Sequence, residues 1–598
     1  MSPEGIAGTS TALVVGVTSH RDLEPTQLPA LRARLVEVLT GLRVEYPALS
    51  LAVLSPLAEG GDQLVAEVGL ELGARLVVPL PLPAEMYAED FLSPGSRARF
   101  HQLLAHAEVI PLAMPAIEPH ALRTPGPLRD WQYLQAGLYV ANHCHVLLAL
   151  WDGRSDGGTG GTAQIVRYYL GGPLPGARRA SDNLRQMLAG DDDSLVLHLP
   201  VRRGILRSDQ DDAAASLGEQ VADQRNERNV DRERPDTNLT DKHRADRDQP
   251  LGEPVWLTSS GQQTLAAGIP RQYRCIFERM QTFEYDRRQR AAANKTPSPQ
   301  DPAERALHEV DAMAVHFQRR SNGAIRAIHG LAFLMGVAFL MYADLGAPDL
   351  MLWVFLLFFA VGMGIAIAAH RRDWHRKHID YRALAEGLRV QAFWRRAGLT
   401  MAGDPEFAHD NFMQKQDVEL GWIRNVMRQI GLMGSPPIQD SAAQAVDAVI
   451  EAWVGRPGQS GQLAYYECMA GLREHLHLRA QALGKVCLWA GIGISLFLAL
   501  FHSELEEITR NVLVTAMGML SLIAAVREAY AYRKADKELV KQYRFMHRIY
   551  RNARIALDAA ASPQEQREIL FALGEAALDE HAEWALMHRD RPIQHVRA

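Results

Sequence analysis

The sequence predicts an α/β N-terminal domain with a parallel sheet, followed by an all-α membrane region of two transmembrane helical hairpins with long cytoplasmic helices. Between residues 12 and 170, short apolar runs that end in turns alternate with segments of helical periodicity. This alternation is typical of a parallel sheet covered by helices. Four apolar segments follow in two pairs, which predicts the hairpins. The mean hydropathy of −0.15 indicates that most of the chain lies outside a membrane.

The α/β elements follow one another in order along the chain. Four segments begin with a short apolar run, and each is predicted to be a strand with its turn. They are ALVVGVTSH, LSLAVLSPLAEGGDQ, RLVVPLPLP and CHVLLALWDG. LPALRARLVEVLTGLRVEY, LVAEVGLELGA and AQIVRYYL have helical periodicity and are predicted helices. In an open parallel sheet, the carboxyl ends of the strands and the amino ends of the helices converge on one crevice.

Three loops at this predicted crevice contain candidate ligand-binding residues. They are Gly16, Thr18, Ser19, His20 and Arg21 after the first strand, Glu59, Gly60 and Asp62 after the second, and Gly157, Gly158, Gly160, Gly161 and Thr162 after the fourth. Glycines let a phosphate approach unpaired backbone N–H groups, and Arg21 suits a phosphate or ribose contact. Structural alternatives are a flexible turn for the glycines, a helix N-cap for Asp62 and a local backbone hydrogen bond for His20.

The composition argues against several classes of protein. The net charge of −6 gives no reason to expect nucleic-acid binding. Four scattered cysteines predict neither a metal site nor a disulfide framework, and favour a reducing compartment. The first residues do not resemble a signal peptide, so we expect the α/β domain to stay in the cytoplasm.

The predicted transmembrane segments are residues 327–343 and 350–369 in the first hairpin, and 486–501 and 511–526 in the second. LMLWVFLLFFAVGMGIAIAA has twenty uncharged residues, which span about 30 Å as a helix. The second pair is shorter, and a buried soluble pair is the alternative. Basic residues flank both hairpins whereas acidic residues occur in their turns. The positive-inside rule therefore predicts an inner (cytoplasmic) membrane protein with both termini in the cytoplasm.

The predicted domains are an α/β domain at 1–206, a disordered charged linker at 207–254, a first helical hairpin module at 255–435 and a second at 436–598. The linker is rich in Asp, Arg, Asn and Gln, a composition that cannot bury a core. Four helices without buried charge do not form a pore alone, so we expect a homo-oligomer in the lipid bilayer.

Two families resemble parts of this sequence. Three stretches within roughly residues 10–200 together resemble the SLOG superfamily of Rossmann-like nucleotide-binding domains. They are VVGVTSHRDL, LSPLAEGGDQLVAEVGLELGARLVVPLPLPAEMYAEDF and LLALWDG…GGTGGTAQIV. YRALAEGLRVQAFW, VELGWIRNVMRQI and LGEAALDEHAEWALMHRDRPI resemble the SLATT family of two-helix membrane effectors. These resemblances imply a nucleotide or NAD-derived ligand, no other cofactor, and a ligand-gated membrane effector of bacterial antiviral defence.

The sequence departs from the LOG phosphoribohydrolases of the SLOG superfamily at their catalytic position. Their motif is P-G-G-x-G-T-x-x-E, and aligning the glycines places Asp156 at the proline, Gly161 at the threonine and Gln164 at the glutamate. An amide does not exchange a proton at neutral pH. Binding without turnover, and hence no catalytic residue, is favoured. The alternatives are a membrane-tethered nucleotide N-glycosidase in which Glu59 or Asp62 substitutes, and a protein-binding scaffold.

Overall fold

The computed structural model describes residues 10–114, 122–154, 158–172, 174, 194–204, 252–291, 301–401, 403–409, 412–413, 418–432, 442–501, 503–534 and 536–589. Gly157, Asp156 and residues 207–251 of the predicted linker lie outside this described part. The chain divides into two compact units. Met1–Tyr285 and Ala402–Gly434 form the α/β unit, and Asp286–Met401 and Ser435–Ala598 form the helical unit.

In the described part of the α/β unit, eight strands form one sheet in the order β4-β3-β2-β1-β5-β6-β7-β8. The strands are β1 Ala12–Ser19, β2 Ser50–Leu54, β3 Arg75–Leu80, β4 Ala107–Pro111, β5 Val146–Trp151, β6 Val196–Pro200, β7 Val255–Thr258 and β8 Gly261–Thr264. The first six strands pair in parallel, as predicted. β7 and β8 add an antiparallel hairpin beside β6, so the sheet is mixed.

Among the described residues, sixteen α-helices follow one another along the two units. They are α1 Leu28–Glu45, α2 Gly61–Glu71, α3 Ala84–Ala88, α4 Pro94–Leu104, α5 Pro127–His143, α6 Thr162–Tyr169, α7 Arg271–Ala291, α8 Pro302–Leu345, α9 Leu350–Arg371, α10 Trp374–Arg396, α11 Gly421–Gly431, α12 Ala442–Val449, α13 Gly461–Phe501, α14 Glu507–Lys534, α15 Asp536–Ala559 and α16 Pro563–Arg589. The predicted helices of the first 170 residues correspond to α1, α2 and α6.

Helices cover both faces of the sheet, which explains the continuous apolar runs of its inner strands β1, β2, β3 and β5. On one face, α5 and α6 share a core cluster with alternate strand residues such as Val14 and Leu147. On the other face, Gly69 of α2 packs against Val53 of β2, where a Cβ would lie 2.6 Å from a valine methyl carbon. The sheet therefore forms a rigid central layer that fixes the loops at its edge.

The chain returns to the α/β unit after α10, and α11 packs there. The buried His145 ring connects this helix to the sheet: Val14 N–H donates to its Nδ1 (3.1 Å), and its Nε2 donates to the Asn425 carbonyl (2.8 Å). Burial, with a further effect of Arg428, lowers the pKa of His145 to about 3 and keeps the ring neutral. The segment around α11 is thus part of the α/β core.

The structure differs from the predicted domain boundaries in two places. Residues 255–264 are predicted to begin the first helical hairpin module, but they form β7 and β8 of the sheet. Residues 403–432 are predicted to lie in the same module, but they belong to the α/β unit. In both cases the segment packs against strands or helices that are distant in sequence, and local periodicity does not identify such a contact.

Among the described residues, four stretches are long and apolar enough to cross a membrane. They are Pro302–Leu345, Leu350–Arg396, Gly461–Phe501 and Glu507–Ala559, and they contain the four predicted transmembrane segments. Large apolar side chains on them are exposed, including Trp353 at 70% and Leu500 at 68%. Such an exposed apolar surface is typical of a lipid-facing one. The helical unit therefore has the features of a membrane protein.

Within the helical unit, α8 and α14 pack through glycine on both sides. A Cβ at Gly336 of α8 would lie 2.5 Å from the Leu522 side chain of α14. A Cβ at Gly518 of α14 would lie 2.8 Å from the Leu340 side chain of α8. Each glycine thus makes room for a leucine of the other helix, and small residues of this kind let apolar helices approach closely.

Candidate ligand-binding cleft

A cleft of about 260 Å³ lies at the carboxyl ends of β1, β2 and β5. The strand order reverses between β1 and β5, and ligands of open α/β sheets bind at this kind of reversal. The lining includes Thr18, Ser19, His20, Arg21 and Asp22 from the first loop, Pro56, Ala58 and Asp62 from the second, and Gly158, Gly160, Gly161, Thr162 and Ala163 from the third. The structure therefore brings residues of all three predicted loops together.

Asp62 is a buried carboxyl group in the cleft wall, with 2% of the residue exposed. The Ser19 hydroxyl donates to its Oδ1 over 2.6 Å. Burial raises the pKa of Asp62 to about 7, although the hydrogen bonds from Ser19 and Ala58 and the charge of Arg21 oppose the rise. Gly60, and not Asp62, is the N-cap residue of α2. The carboxyl group can therefore exchange a proton near neutral pH.

The His20 side chain joins the loops that follow β1 and β5. Its Nε2 lies 3.1 Å from Asp152 Oδ1 and 3.2 Å from the Asp152 backbone N. The nitrogen accepts from the backbone N–H when it is unprotonated and donates to the carboxylate when it is protonated. Burial opposes ionisation of Asp152, but the Arg154 N–H and His20 hold its pKa below the usual range. The contact is therefore between two loops, and not the local hydrogen bond considered above.

The Arg21 guanidinium supplies a cation at the cleft. Its Cζ lies 5.2 Å from the ring centroid of Tyr133, a cation–π geometry. The Tyr133 hydroxyl donates to Asp90, and Arg129 Nε donates to that hydroxyl over 2.8 Å. Arg129 is buried and pairs with Asp90 at 2.7 Å, so the ring is held in place. Arg21 itself forms no ion pair with a carboxylate in the described part of the chain.

The glycines before α6 form a tight turn. Gly161 N–H donates to the Gly158 carbonyl (3.0 Å), and Gly160 has a φ of +79°, a conformation that favours glycine. The Gln164 side chain accepts from Gly160 N–H over 2.7 Å. Thr162 and Ala163 are the first two residues of α6, and their N–H groups precede the hydrogen bonds of the helix. The Gln164 N–H already donates to the Gly161 carbonyl (3.0 Å). Gln164 therefore fixes the loop that presents this helix end to the cleft.

Two predicted glycines shape the cleft without lining it. A Cβ at Gly16, in the middle of β1, would lie 2.6 Å from the Cβ of Cys144. A Cβ at Gly60 would overlap the Arg21 carbonyl oxygen, and the φ of Gly60 is +94°. These positions are glycine because backbone or core atoms approach closely. Gly157 lies outside the described residues.

Glu59 also acts away from the cleft. Its carboxylate accepts hydrogen bonds from the backbone N–H groups of Leu92 (2.9 Å) and Ser93 (3.2 Å). These groups lie just before α4, so Glu59 connects the loop after β2 to the start of that helix. Its carboxylate is therefore engaged in structural hydrogen bonds.

The cleft lining includes four polar residues that are not among the predicted candidates, namely Asp22, Tyr87, Tyr133 and Arg203. Tyr87 follows β3, so the rule that identified the other loops applies to it as well. Burial raises the pKa of Tyr87, which keeps its phenol protonated. Arg203 Nε donates to both carboxylate oxygens of Asp22, at 3.1 and 3.0 Å. Nothing in the local sequence indicates that Tyr133 or Arg203 reaches the cleft.

The groups of the cleft suit an anion. Backbone N–H groups, hydroxyls and a guanidinium line it, and among the described residues no cluster of His, Cys, Asp or Glu is placed to hold a metal ion. Comparisons with protein-family models, curated proteins and solved structures found no match for this chain. The SLOG and SLATT resemblances therefore stay predictions.

Proposed function

We propose that the protein is a membrane-anchored sensor whose α/β unit binds a nucleotide or nucleotide-derived messenger. The observation that carries this proposal is that Arg21 and the amino end of α6 line one cleft, where the strand order reverses between β1 and β5. Unpaired N–H groups at a helix start and a guanidinium both favour a phosphate.

The rest of the lining fits the other parts of a nucleotide. Pro81, Tyr87 and Ile165 supply apolar and aromatic surface that suits a base. Asp62, when ionised, accepts hydrogen bonds from ribose hydroxyls. The cleft thus combines a phosphate end with an apolar wall, which supports a nucleotide more than inorganic phosphate.

The helical unit supplies the proposed anchor. Its four apolar helices would form two transmembrane hairpins in the inner membrane, with both termini in the cytoplasm. Basic residues that flank the apolar segments and acidic residues in their turns support this orientation. Ligand binding would then change the packing of a homo-oligomeric membrane effector.

Isothermal titration of the full-length protein in nanodiscs tests ligand binding. AMP and adenosine form a matched pair, because they differ only in the phosphate. Arg21→Gln should weaken AMP binding about tenfold and leave adenosine binding unchanged, since it removes a charged hydrogen-bond donor. Arg34→Gln, on the exposed face of α1, is the control. Absence of binding across a panel of nucleotides and cyclic dinucleotides would contradict the proposal.

Leakage from liposomes tests the effector step separately. Protein reconstituted in dye-loaded liposomes should release dye when the bound nucleotide is added. If no nucleotide that binds changes the leakage, the proposed effector function is contradicted. The proposed nucleotide binding is not affected by that result.

The raised pKa of Asp62 favours a second candidate, a membrane-tethered nucleotide N-glycosidase. A carboxyl group with a pKa of about 7 is suited to general acid–base catalysis at neutral pH. Of the two predicted substitutes for the motif glutamate, Glu59 is engaged by backbone N–H groups, which leaves Asp62. Chromatography of nucleoside monophosphates incubated with the protein tests it. Release of free base that disappears in Asp62→Asn selects this function; no release excludes it.

A further inference from the structure

A group of arginines in the helical unit lies close together beside the apolar segments. The arginine cluster comprises Arg290 at the end of α7, Arg319 and Arg320 on α8, and Arg372 after α9. Arg319 and Arg320 precede the apolar segment 327–343, and Arg372 follows the segment 350–369. The cluster is therefore at one end of the first two apolar helices.

Arg319 and Arg320 repel Arg290 electrostatically. None of the four forms an ion pair with a carboxylate in the described part of the chain. Burial and the charges of Arg320 and Arg319 lower the pKa of Arg290, whose Nε is buried without an acceptor. Asp286, the nearby carboxylate, is engaged by Lys377 Nζ at 2.7 Å. A bound anion would relieve this repulsion.

An aromatic ring lies within the cluster. Arg320 Cζ is 5.6 Å and Arg372 Cζ is 6.0 Å from the ring centroid of Trp374, the first residue of α10. Tryptophan is enriched at the level of lipid headgroups, where its ring contacts apolar chains and polar groups together. The ring and the adjoining apolar helices indicate that the anion belongs to a lipid.

We propose that the arginine cluster binds the phosphate of an anionic phospholipid headgroup, with Trp374 at the level of the headgroup. This inference rests on the proposed membrane anchoring, but it does not depend on nucleotide binding. Clusters of basic residues next to a transmembrane helix attract anionic lipids by about 1 kcal/mol per charge. The positive-inside rule requires only an excess of basic residues on one side of the membrane. The arginine cluster is more specific, because its guanidiniums come from three separate chain segments.

Native mass spectrometry of the full-length protein in neutral detergent tests the site. Phosphatidylglycerol and phosphatidylcholine with the same acyl chains are titrated in parallel, and bound lipids are counted. Arg319→Gln with Arg320→Gln should weaken phosphatidylglycerol binding roughly 30-fold and leave phosphatidylcholine binding unchanged. Arg548→Gln with Arg551→Gln, two exposed positions on α15, removes the same charge elsewhere and should retain the preference.

The remaining outcomes are equally decisive. No headgroup preference in the wild-type protein, or equal losses in both double variants, overturns the proposal. Full displacement of phosphatidylglycerol by millimolar inorganic phosphate would assign the cluster to a soluble anion instead. AMP titration of the same preparations separates the two proposals, because the double variants should bind AMP as the wild-type protein does. Failure to float with vesicles would refute the anchoring itself.

Discussion

Substitution of Asp62 by asparagine tests the electrostatics of the cleft. Burial raises the pKa of this carboxyl group from 3.8 to about 7. Because the unfolded chain ionises near the ordinary value, the protonated carboxyl contributes stability that is fully present below about pH 4 and is lost as the pH rises to about 7. At 1.36 kcal/mol per pKa unit, the free energy of unfolding of the α/β unit should fall by about 4 kcal/mol across this range.

Asparagine carries no charge and keeps an oxygen that accepts from the Ser19 hydroxyl, so Asp62→Asn should abolish this part of the pH dependence. Hydrogen exchange of the β1 and β5 amides in the full-length protein, corrected for intrinsic rates between pH 5 and 8, reports the opening free energy. Glu37→Gln on the exposed surface of α1 should behave as the wild-type protein does. Between pH 5 and 8 the wild-type protein should lose about 2.7 kcal/mol of this stability, since only the two pH units below the pKa of about 7 contribute. If Asp62→Asn loses as much over the same range, the reasoning from burial is refuted.

Two further substitutions probe the glycine loop and the helical unit. Gln164→Ala leaves the Gly160 N–H without its acceptor, so AMP affinity should fall about fivefold in isothermal titration; unchanged affinity would separate the loop from binding. Gly574→Ala places a methyl group against the buried Trp394 indole, whose Cζ2 would be 2.5 Å away, and should destabilise the unit by about 2 kcal/mol in thermal denaturation. Gly323→Ala meets open space and should stabilise α8 by up to about 1 kcal/mol; equal effects of the two changes would contradict this packing.

Parts of the cleft could be predicted from the sequence because they depend on local pattern and general topology. Each strand that carries a cleft loop is a short apolar run, and parallel strands place their carboxyl ends at one edge of the sheet. The convergence of Ser19, Asp62 and Gly160 on one cleft follows from these two facts. The same reasoning extended to β3 identifies Tyr87.

Other features depend on contacts between distant residues. Tyr133 reaches the cleft because Asp90 and Arg129 hold it, and no periodicity encodes that arrangement. The role of Gly16 depends on Cys144, which packs against it from the end of α5. The strands β7 and β8 are short and depend on pairing with β6. These features can be identified only from the tertiary structure.

The return of α11 to the sheet has a consequence for biosynthesis. A ribosome makes α8 and α9 before it makes α11, so the first apolar helices are synthesised before the α/β unit has all of its segments. Until Asn425 is synthesised, the buried His145 Nε2 lacks the carbonyl that it binds in the finished protein. A nascent chain that stops before Asn425 therefore lacks a core contact of the α/β unit, although it already contains the first two apolar helices.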